Sequence, residues 1–129
     1  MSQNTKQRFH PEVRTADLPN IKKKFGTDYT GLEECQQQID AALKRIQIYP
    51  DREGKICKYE PLSSAGFRKV KLFSNKKPPV GSTPDLRIIY RYNINEDAIE
   101  VLVIGFRIKQ RPRPPEDPYS LAGEREFLF

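Results

Sequence analysis

The sequence has few of the residues on which the commonest catalytic and metal sites depend. Its single histidine, His10, leaves neither a His/His acid–base pair nor a Ser/His/Asp triad. Its two cysteines, Cys35 and Cys57, lack the spacing of zinc ligands or of a CxxC motif, so we expect buried free thiols. The motifs GxGxxG, GxxxxGK[ST], HExxH and DxDxDG are absent. No metal and no cofactor are predicted.

Long apolar runs are missing as well. No stretch approaches the roughly 20 residues that span a bilayer, and the N-terminus, MSQNTKQ, is polar. A soluble, cytoplasmic protein is therefore predicted. With 129 residues, 36% of them hydrophobic, and a mean hydropathy of -0.74, the chain can form one domain with a modest core. We expect a flexible tail over residues 1–8 and a single domain over 9–129.

Positive charge is concentrated in one part of the chain. The net charge is +6 and the pI is about 9.4. Residues 67–113 contain eleven Lys/Arg and four Asp/Glu, a net charge of +7, so the rest of the chain carries −1. Such segregation favours a phosphate-binding surface over an evenly solvated one. Because the few acids do not cluster near the basic residues, a two-metal nuclease site is not expected.

The first of two predicted helices begins near His10. Pro11 and Glu12 suit a first turn, because proline loses no hydrogen bond there and an acid meets the helix dipole. Pro19 is expected to divide this helix into two short pieces before Gly26.

The second predicted helix has a clearer signal. Thr30 and Glu33 are interpreted as a capping box, and the helix is expected to end near Ile48. Packing of its apolar stripe on the protein's own sheet is favoured over a partner-binding helix; the stripe consists of Leu32, Cys35, Ile39, Ala42, Leu43 and Ile46.

The second half of the chain is rich in strand-forming residues. A short strand is expected near Gln7–Phe9, and β-branched and aromatic residues predict three main strands at 67–73, 86–92 and 98–108. The connecting segments are Pro/Gly-rich at 74–84 and Pro-rich at 109–118, and a short helical end is expected around 119–127. This order predicts an α+β domain in which two helices cover one face of an antiparallel sheet of three main strands.

Alternation places basic side chains together on the sheet. Lys69 and Lys71 alternate with apolar residues, so both should point to the face left open by the helices. Arg87 and Arg91 likewise share a face of the next strand. Each pair alone also fits an ordinary solvated surface.

An arginine also follows the last strand. Arg107 comes shortly after Gly105, which marks a bulge or allows a close approach to the backbone. An arginine at such a position suits the binding of phosphate.

The order and spacing of several segments resemble a known family. GFRKVKLF, DLRIIYRYN, DAIEVLVIGFR and DPYSLA resemble the RelE/ParE toxin superfamily of bacterial toxin–antitoxin systems, and FHPEVRTADLPNI resembles its opening helix. The resemblance covers most of residues 9–122 and implies a RelE-like fold. Members of the RelE branch are ribosome-dependent mRNA endonucleases, and members of the ParE branch inhibit DNA gyrase.

The resemblance also implies a set of site residues. The RelE branch uses a lysine pair, two arginines and a C-terminal tyrosine, and the matching catalytic positions here are Lys69, Lys71, Arg87, Arg107 and Tyr119. Further contacts to RNA phosphates are expected from Arg68, Arg91, Lys109 and Arg111. Because ParE-type members generally lack the full catalytic set, the nuclease branch is favoured.

These residue types suit RNA cleavage by a 2′-hydroxyl without a metal. Lys69 or Lys71 would act as the base, because neighbouring cations lower the pKa of a lysine. Arg87 and Arg107 would bind the charged phosphate in the transition state, and Tyr119 would stack on a base or orient it. The Pro-rich run adds residues before this tyrosine, so Tyr90 and Tyr92 are alternative candidates for its role.

The resemblance also implies the partners. A cognate antitoxin protein is expected, together with the ribosome and mRNA. The alternative function is a non-enzymatic one, either a ParE-like gyrase inhibitor or an inactive toxin-like protein that binds nucleic acid.

Overall fold

The computed structural model describes residues 5–129, in which most helices precede most strands. The α+β class predicted from the sequence is confirmed. In chain order the elements are β1 (Lys6–Phe9), a π-helix (Val13–Asp17), α1 (Leu18–Phe25), α2 (Tyr29–Ile48), β2 (Lys55–Ile56), β3 (Arg68–Leu72), β4 (Leu86–Asn93), β5 (Ala98–Phe106) and α3 (Pro118–Glu124).

The sheet has five strands in the order β1-β5-β4-β3-β2. Strand β1 runs parallel to β5, and the other neighbouring strands are antiparallel. The three main strands, β3 to β5, are antiparallel as predicted, and the short strand expected near Gln7–Phe9 is present as β1. The predicted number of three main strands is wrong for the sheet as a whole, because β1 and β2 join its two edges. Strand β2 has only two residues, both exposed, so it carries no alternation that a sequence pattern could reveal.

The flexible tail predicted for residues 1–8 is corrected in part. Lys6, Gln7 and Arg8 belong to β1, which pairs with β5, and the Thr5 hydroxyl donates to Asp97 Oδ1 at 2.8 Å. Main-chain pairing with a buried strand explains this order. Residues 1–4 lie outside the described part of the chain.

The predicted division at Pro19 is present only as a change of helix type. The π-helix ends at Asp17 and α1 begins at Leu18, one residue before Pro19, while the backbone stays helical between them. His10 stands at the start of this segment, as predicted, and its Nδ1 accepts from the Glu12 N–H at 3.0 Å.

Helix α2 begins two residues earlier than the predicted capping box would place it. Asp28 is the N-cap, and its carboxylate accepts from the Gly31 N–H at 3.0 Å. The capping box of Thr30 and Glu33 is therefore wrong, because Asp28 already satisfies the first turn. The predicted end at Ile48 is confirmed.

The apolar stripe of α2 packs on the sheet, as predicted. It joins one face of the sheet in a core that consists of Val13, Ile21, Cys35, Ile39, Ala42, Leu43, Ile46, Val70, Leu72, Leu86, Ile88, Tyr90, Ile99, Val101 and Ile104. Both cysteines are free and buried, as expected, and burial raises the pKa of Cys35 to about 11.

The opposite face of the sheet is not open. A second core covers it, built by β4, β5, the β2–β3 link and the C-terminal segment: Cys57, Leu62, Phe67, Ile89, Leu102, Val103 and Ala122. Tyr119, Leu121, Phe127 and Phe129 pack against this core. The expectation of an open face for Lys69 and Lys71 is therefore corrected, because the C-terminal segment folds back over the middle of that face.

Strand β5 contains a bulge, but not at Gly105. Ile89 pairs with Val103 and Tyr90 with Val101, so Leu102 is the extra residue and joins the second core. At Gly105 the alternative expectation of a close approach holds, since a Cβ there would lie 3.2 Å from Pro118 Cγ.

An ion pair covers the part of the β5 edge that does not pair with β1. Arg125 Nη2 lies 2.7 Å from Asp17 Oδ1, and the side chains are 5% and 2% exposed. Asp17 Oδ2 accepts from the Ile104 N–H at 3.0 Å, and Arg125 Nη1 donates to the Leu102 carbonyl at 2.9 Å. The pair satisfies main-chain groups of the free edge and attaches the C-terminal segment to the π-helix.

The connecting segments follow the sequence prediction. Segments 74–84 and 109–117 contain neither helix nor strand, and the C-terminal helix is the short α3. Across residues 5–129, none of the helices combines the length and apolarity that crossing a membrane requires.

Candidate active site

Strands β3 and β4 bring basic residues together on the face of the second core. Lys71 lies directly opposite Arg87, and Lys69 lies opposite Ile89, which belongs to that core. Because side chains alternate along a strand, Lys69 and Lys71 share this face, as predicted, and Arg87 shares it with them. They lie where the C-terminal segment begins to cover it.

Arg87 is buried, with only 2% of its surface exposed. Its Nη1 donates to the carbonyls of Pro84 at 3.0 Å and Leu86 at 2.9 Å, and its Nε donates to the Tyr119 hydroxyl at 3.0 Å. Within residues 5–129, no carboxylate lies within 4.0 Å of this guanidinium. The alternative that Arg87 belongs to an ordinary solvated surface is therefore wrong. Its charge lacks a counterion among the described residues.

The third nitrogen of Arg87, Nη2, makes no hydrogen bond to the described residues. It is not fully buried, since among the described residues the fully buried side-chain polar atom without a hydrogen-bond partner is Arg125 Nε. Nη2 therefore retains contact with the surface, where it can donate to an incoming anion.

Tyr119 reaches the basic residues despite the Pro-rich run before it. Asp117 caps α3, accepting from the N–H groups of Tyr119 at 3.0 Å and Ile108 at 2.9 Å. This cap and the close contact of Pro118 with Gly105 hold the start of α3 against the end of β5. The Tyr119 hydroxyl can then accept from Arg87.

The alternative tyrosines point elsewhere. The Tyr90 hydroxyl is buried in the first core and donates to the Pro50 carbonyl at 2.6 Å. The Tyr92 hydroxyl donates to Asp97 Oδ1 at 2.8 Å. Neither contacts the basic residues around Arg87.

The two lysines have lowered pKa values for different reasons. Partial burial, followed by the charge of Lys71, lowers the pKa of Lys69 below its ordinary value. The pKa of Lys71 is lowered mainly by the charge of Arg87 and also by that of Arg107. Such shifts favour a neutral amine that can accept a proton.

Arg107 lies at the end of β5, beside this group. Its N–H donates to the Asp85 carbonyl at 2.8 Å, which continues the pairing with β4 by one residue. Its charge acts on Lys71. The structure thus brings together all five residues matched to the catalytic set; we call them the basic cluster: Lys69, Lys71, Arg87, Arg107 and Tyr119.

The four residues expected to contact RNA phosphates do not join the basic cluster. Arg68 donates to the Glu53 carbonyl at 2.9 Å on the other side of the sheet from Lys69. Arg91 pairs with Glu100 at 2.7 Å and lies over aromatic rings of the second core. Lys109 Nζ donates to Thr83 Oγ1 at 3.1 Å, and Arg111 is exposed.

Sequence analysis missed several residues near the basic cluster. The Arg113 guanidinium lies 4.6 Å from the centroid of the Tyr119 ring and 5.9 Å from that of Tyr59. The charges of Lys55 and Lys58 also lower the pKa of Lys71. Both lysines come from the turn-rich β2 region, where no periodic pattern assigned them to the sheet.

Two surface cavities border Lys69. One, of about 100 Å³, lies between the β2–β3 link and α3 and is lined by Cys57, Lys58, Tyr59, Glu60, Leu62, Lys69, Arg113, Tyr119 and Gly123. The other, of about 280 Å³, is lined by Arg45, Glu53, Gly54, Lys55, Lys69, Val70 and Lys71. Residues 5–129 contain no group of three or more His, Cys, Asp or Glu side chains arranged to hold a metal ion.

Comparison of the chain with protein-family models, with curated proteins and with solved structures finds no match.

Proposed function

We propose that this protein is a RelE-like toxin of a bacterial type II toxin–antitoxin system, an endonuclease that cleaves mRNA on the ribosome. The observation that carries the proposal is the buried guanidinium of Arg87. It has no carboxylate partner in the described chain and lies among further cations. A buried charge is costly unless an opposite charge compensates it. The bound phosphate of a nucleic acid would supply that charge.

The positive charge of the basic cluster supports a phosphodiester as substrate. Arg87 Nη2 has no hydrogen-bond partner among the described residues, Lys71 lies opposite Arg87 in the neighbouring strand, and the charge of Arg107 acts on the same lysine. An arginine fork binds two oxygens of a phosphate, and adjacent cations stabilise the extra charge that develops on five-coordinate phosphorus.

Lys71 is the better candidate for the base that deprotonates the 2′-hydroxyl. It lies opposite Arg87 in the neighbouring strand, and the charges of both arginines of the basic cluster lower its pKa. Lys69 would assist through its charge, which lowers the pKa of a neighbouring amine. Once deprotonated, the 2′-oxygen attacks phosphorus and the bond to the 5′-oxygen breaks, which leaves a 2′,3′-cyclic phosphate. Arg107 stabilises the charge on the leaving 5′-oxygen, which takes up the proton that Lys71 accepted.

Tyr119 would orient Arg87 instead of stacking on a base. Its hydroxyl holds the guanidinium by Nε, and Lys69 and Arg113 both lie over its ring. A guanidinium fixed at one nitrogen presents the others in a defined direction, which favours recognition of the transition state.

The partners proposed are the ribosome with its mRNA, in the cytoplasm, and an acidic antitoxin protein. Residues 67–113 carry a net charge of +7, which an acidic segment would complement. We expect the rate of association with the antitoxin to fall steeply as the salt concentration rises.

Primer extension on a reporter mRNA after brief induction of the protein tests the proposal. We expect cuts that appear only while translation runs and that are lost when Lys69 and Lys71 are both changed to alanine. A matched control changes Lys76 and Lys77, two exposed lysines of the 74–84 link, to alanine and should keep the cuts.

Two results would contradict the proposal. One is a wild-type protein that cuts no mRNA but triggers a DNA damage response, which would indicate gyrase inhibition. The other is a folded Lys69/Lys71 double variant that still cuts.

A further inference from the structure

A second group of side chains borders the basic cluster and has no role in the proposed cleavage chemistry. It surrounds the cavity of about 100 Å³ between the β2–β3 link and α3, which Lys69 and Tyr119 also line. Tyr59 and Arg113 stand at this cavity. A group bound there would lie next to a phosphate held by the basic cluster.

Tyr59 is an exposed aromatic residue at this position. Its surface is 68% exposed, whereas the second core buries most of the other aromatic side chains on this side of the sheet. Exposure of a large ring beside cationic residues is typical of surfaces on which the bases of single-stranded nucleic acids stack.

Arg113 bridges the two tyrosines of the cavity. Its guanidinium lies within 5.9 Å of both ring centroids, at the distance of a cation–π contact. A planar guanidinium beside an aromatic ring resembles a stacked base in shape. Arg113 comes from the 109–117 segment, which has no regular structure, so it can give way to a base or stack upon it.

We propose that this cavity is a nucleobase subsite, in which the base next to a phosphate held by the basic cluster stacks on Tyr59 and is covered by Arg113. The proposal rests on the proposed function only for the identity of the nucleic acid as RNA. The floor of the cavity favours a base over an isolated phosphate, because Cys57, Leu62 and Gly123 contribute apolar surface.

A tryptophan reporter tests the subsite directly. The chain contains no tryptophan, so Tyr59→Trp introduces a single fluorophore at the proposed stacking surface. A short single-stranded RNA should quench its fluorescence, whereas an abasic oligonucleotide of the same length should not. Tyr29→Trp is the matched control, since Tyr29 is 70% exposed on α2, and it should show no quenching.

Binding measurements complete the test. Tyr59→Ala should weaken binding of the same RNA by about 10- to 100-fold, the loss expected for one stacked base, and Tyr59→Phe should restore it. An unchanged affinity in Tyr59→Ala, or equal quenching by the abasic oligonucleotide, would overturn the subsite in favour of phosphate binding alone.

The two proposals fail separately. If Tyr59→Trp is quenched by RNA bases but the wild-type protein cuts no mRNA, the subsite stands and the nuclease is refuted. If the wild type cuts and its cuts are independent of Tyr59, with no quenching, the nuclease stands and the subsite is refuted.

Discussion

Replacement of Arg87 by methionine separates the function of this residue from its contribution to the fold. Methionine has a similar length, no charge and a flexible chain that fills irregular space. The change removes the donors to Pro84, Leu86 and Tyr119, and hydrogen bonds to charged groups contribute about 1.5–3 kcal/mol each. It also removes a buried charge that costs several kcal/mol to desolvate and that repels Lys71.

These opposing contributions are of similar size. We therefore expect Arg87→Met to change the free energy of unfolding by less than about 2 kcal/mol in the absence of anions. Urea denaturation measures this value. Cleavage of mRNA should nevertheless be lost, because the variant cannot bind the phosphate.

Binding of inorganic phosphate distinguishes the two forms further. An anion that binds the folded protein at a hundred times its dissociation constant stabilises it by about 2.7 kcal/mol, which corresponds to a rise in melting temperature of about 10 °C in a domain of this size. We expect this rise in the wild type and little of it in Arg87→Met. Chloride at equal ionic strength controls for screening, and Arg87→Lys tests whether the charge alone suffices.

Equal stabilisation of the wild type and Arg87→Met by phosphate would contradict the binding of phosphate by Arg87. A loss of more than about 3 kcal/mol in the free energy of unfolding of Arg87→Met without anions would also contradict it. Arg87 would then stabilise the fold, as a buried charge with a partner does.

Three further predictions concern residues that hold or tune the site. Asp17→Asn should lower the free energy of unfolding in urea by about 3–5 kcal/mol, because it leaves Arg125 charged and buried; a loss below about 1 kcal/mol would contradict this. The folded state holds the proton of Lys71 less tightly than the unfolded state does, because the pKa of this lysine is lowered from 10.5 on folding. The free energy of unfolding should therefore increase as pH rises from the lowered pKa to 10.5. Urea titrations over this pH range should show a smaller increase for Lys71→Gln. Tyr119→Phe should cost about 1–3 kcal/mol of stability, as the Nε of Arg87 loses its acceptor, and should slow cleavage in primer extension; an unchanged rate would refute the orienting role.

Local periodicity predicted the parts of the fold whose signals lie within one segment. The stripe of α2 and the strands β3, β4 and β5 follow from side-chain spacing alone, and each is present. The three-residue offset from Thr30 to Glu33 misled the placement of the helix start, because Asp28 offers a competing cap.

Contacts between distant segments could not be predicted in the same way. Asp17 and Arg125 are 108 residues apart in the sequence, and neither lies in a pattern that pairs it with the other. The covering of the second sheet face depends on aromatic residues near the C-terminus, which show no helical or strand spacing. Two exposed residues form β2, too few for any periodic signal.

The candidate site combines both kinds of information. Alternation placed Lys69 and Lys71 on one face of β3, the resemblance grouped them with Arg87, and the register sets Lys71 opposite Arg87. The assignment of Tyr119 depended on resemblance, and its position depends on tertiary contacts of α3. Tyr59 and Arg113 had no sequence signal, because both lie in segments without helix or strand.

The molecule contains two buried arginines, and they differ in whether a carboxylate neutralises their charge. This difference separates a structural role from a functional one. Arg125 makes a bidentate pair with Asp17, at 2.7 Å and 2.8 Å, and this pair closes the free edge of β5. Arg87 is buried more deeply, yet carbonyls and one hydroxyl are its acceptors, and these groups orient a cation without neutralising it. The same C-terminal segment carries Arg125 and Tyr119, so the pair that stabilises the sheet edge also fixes the tyrosine that holds Arg87. Loss of the Asp17 pair should therefore loosen the orientation of the unneutralised guanidinium, even though Asp17 itself contacts no residue of the basic cluster.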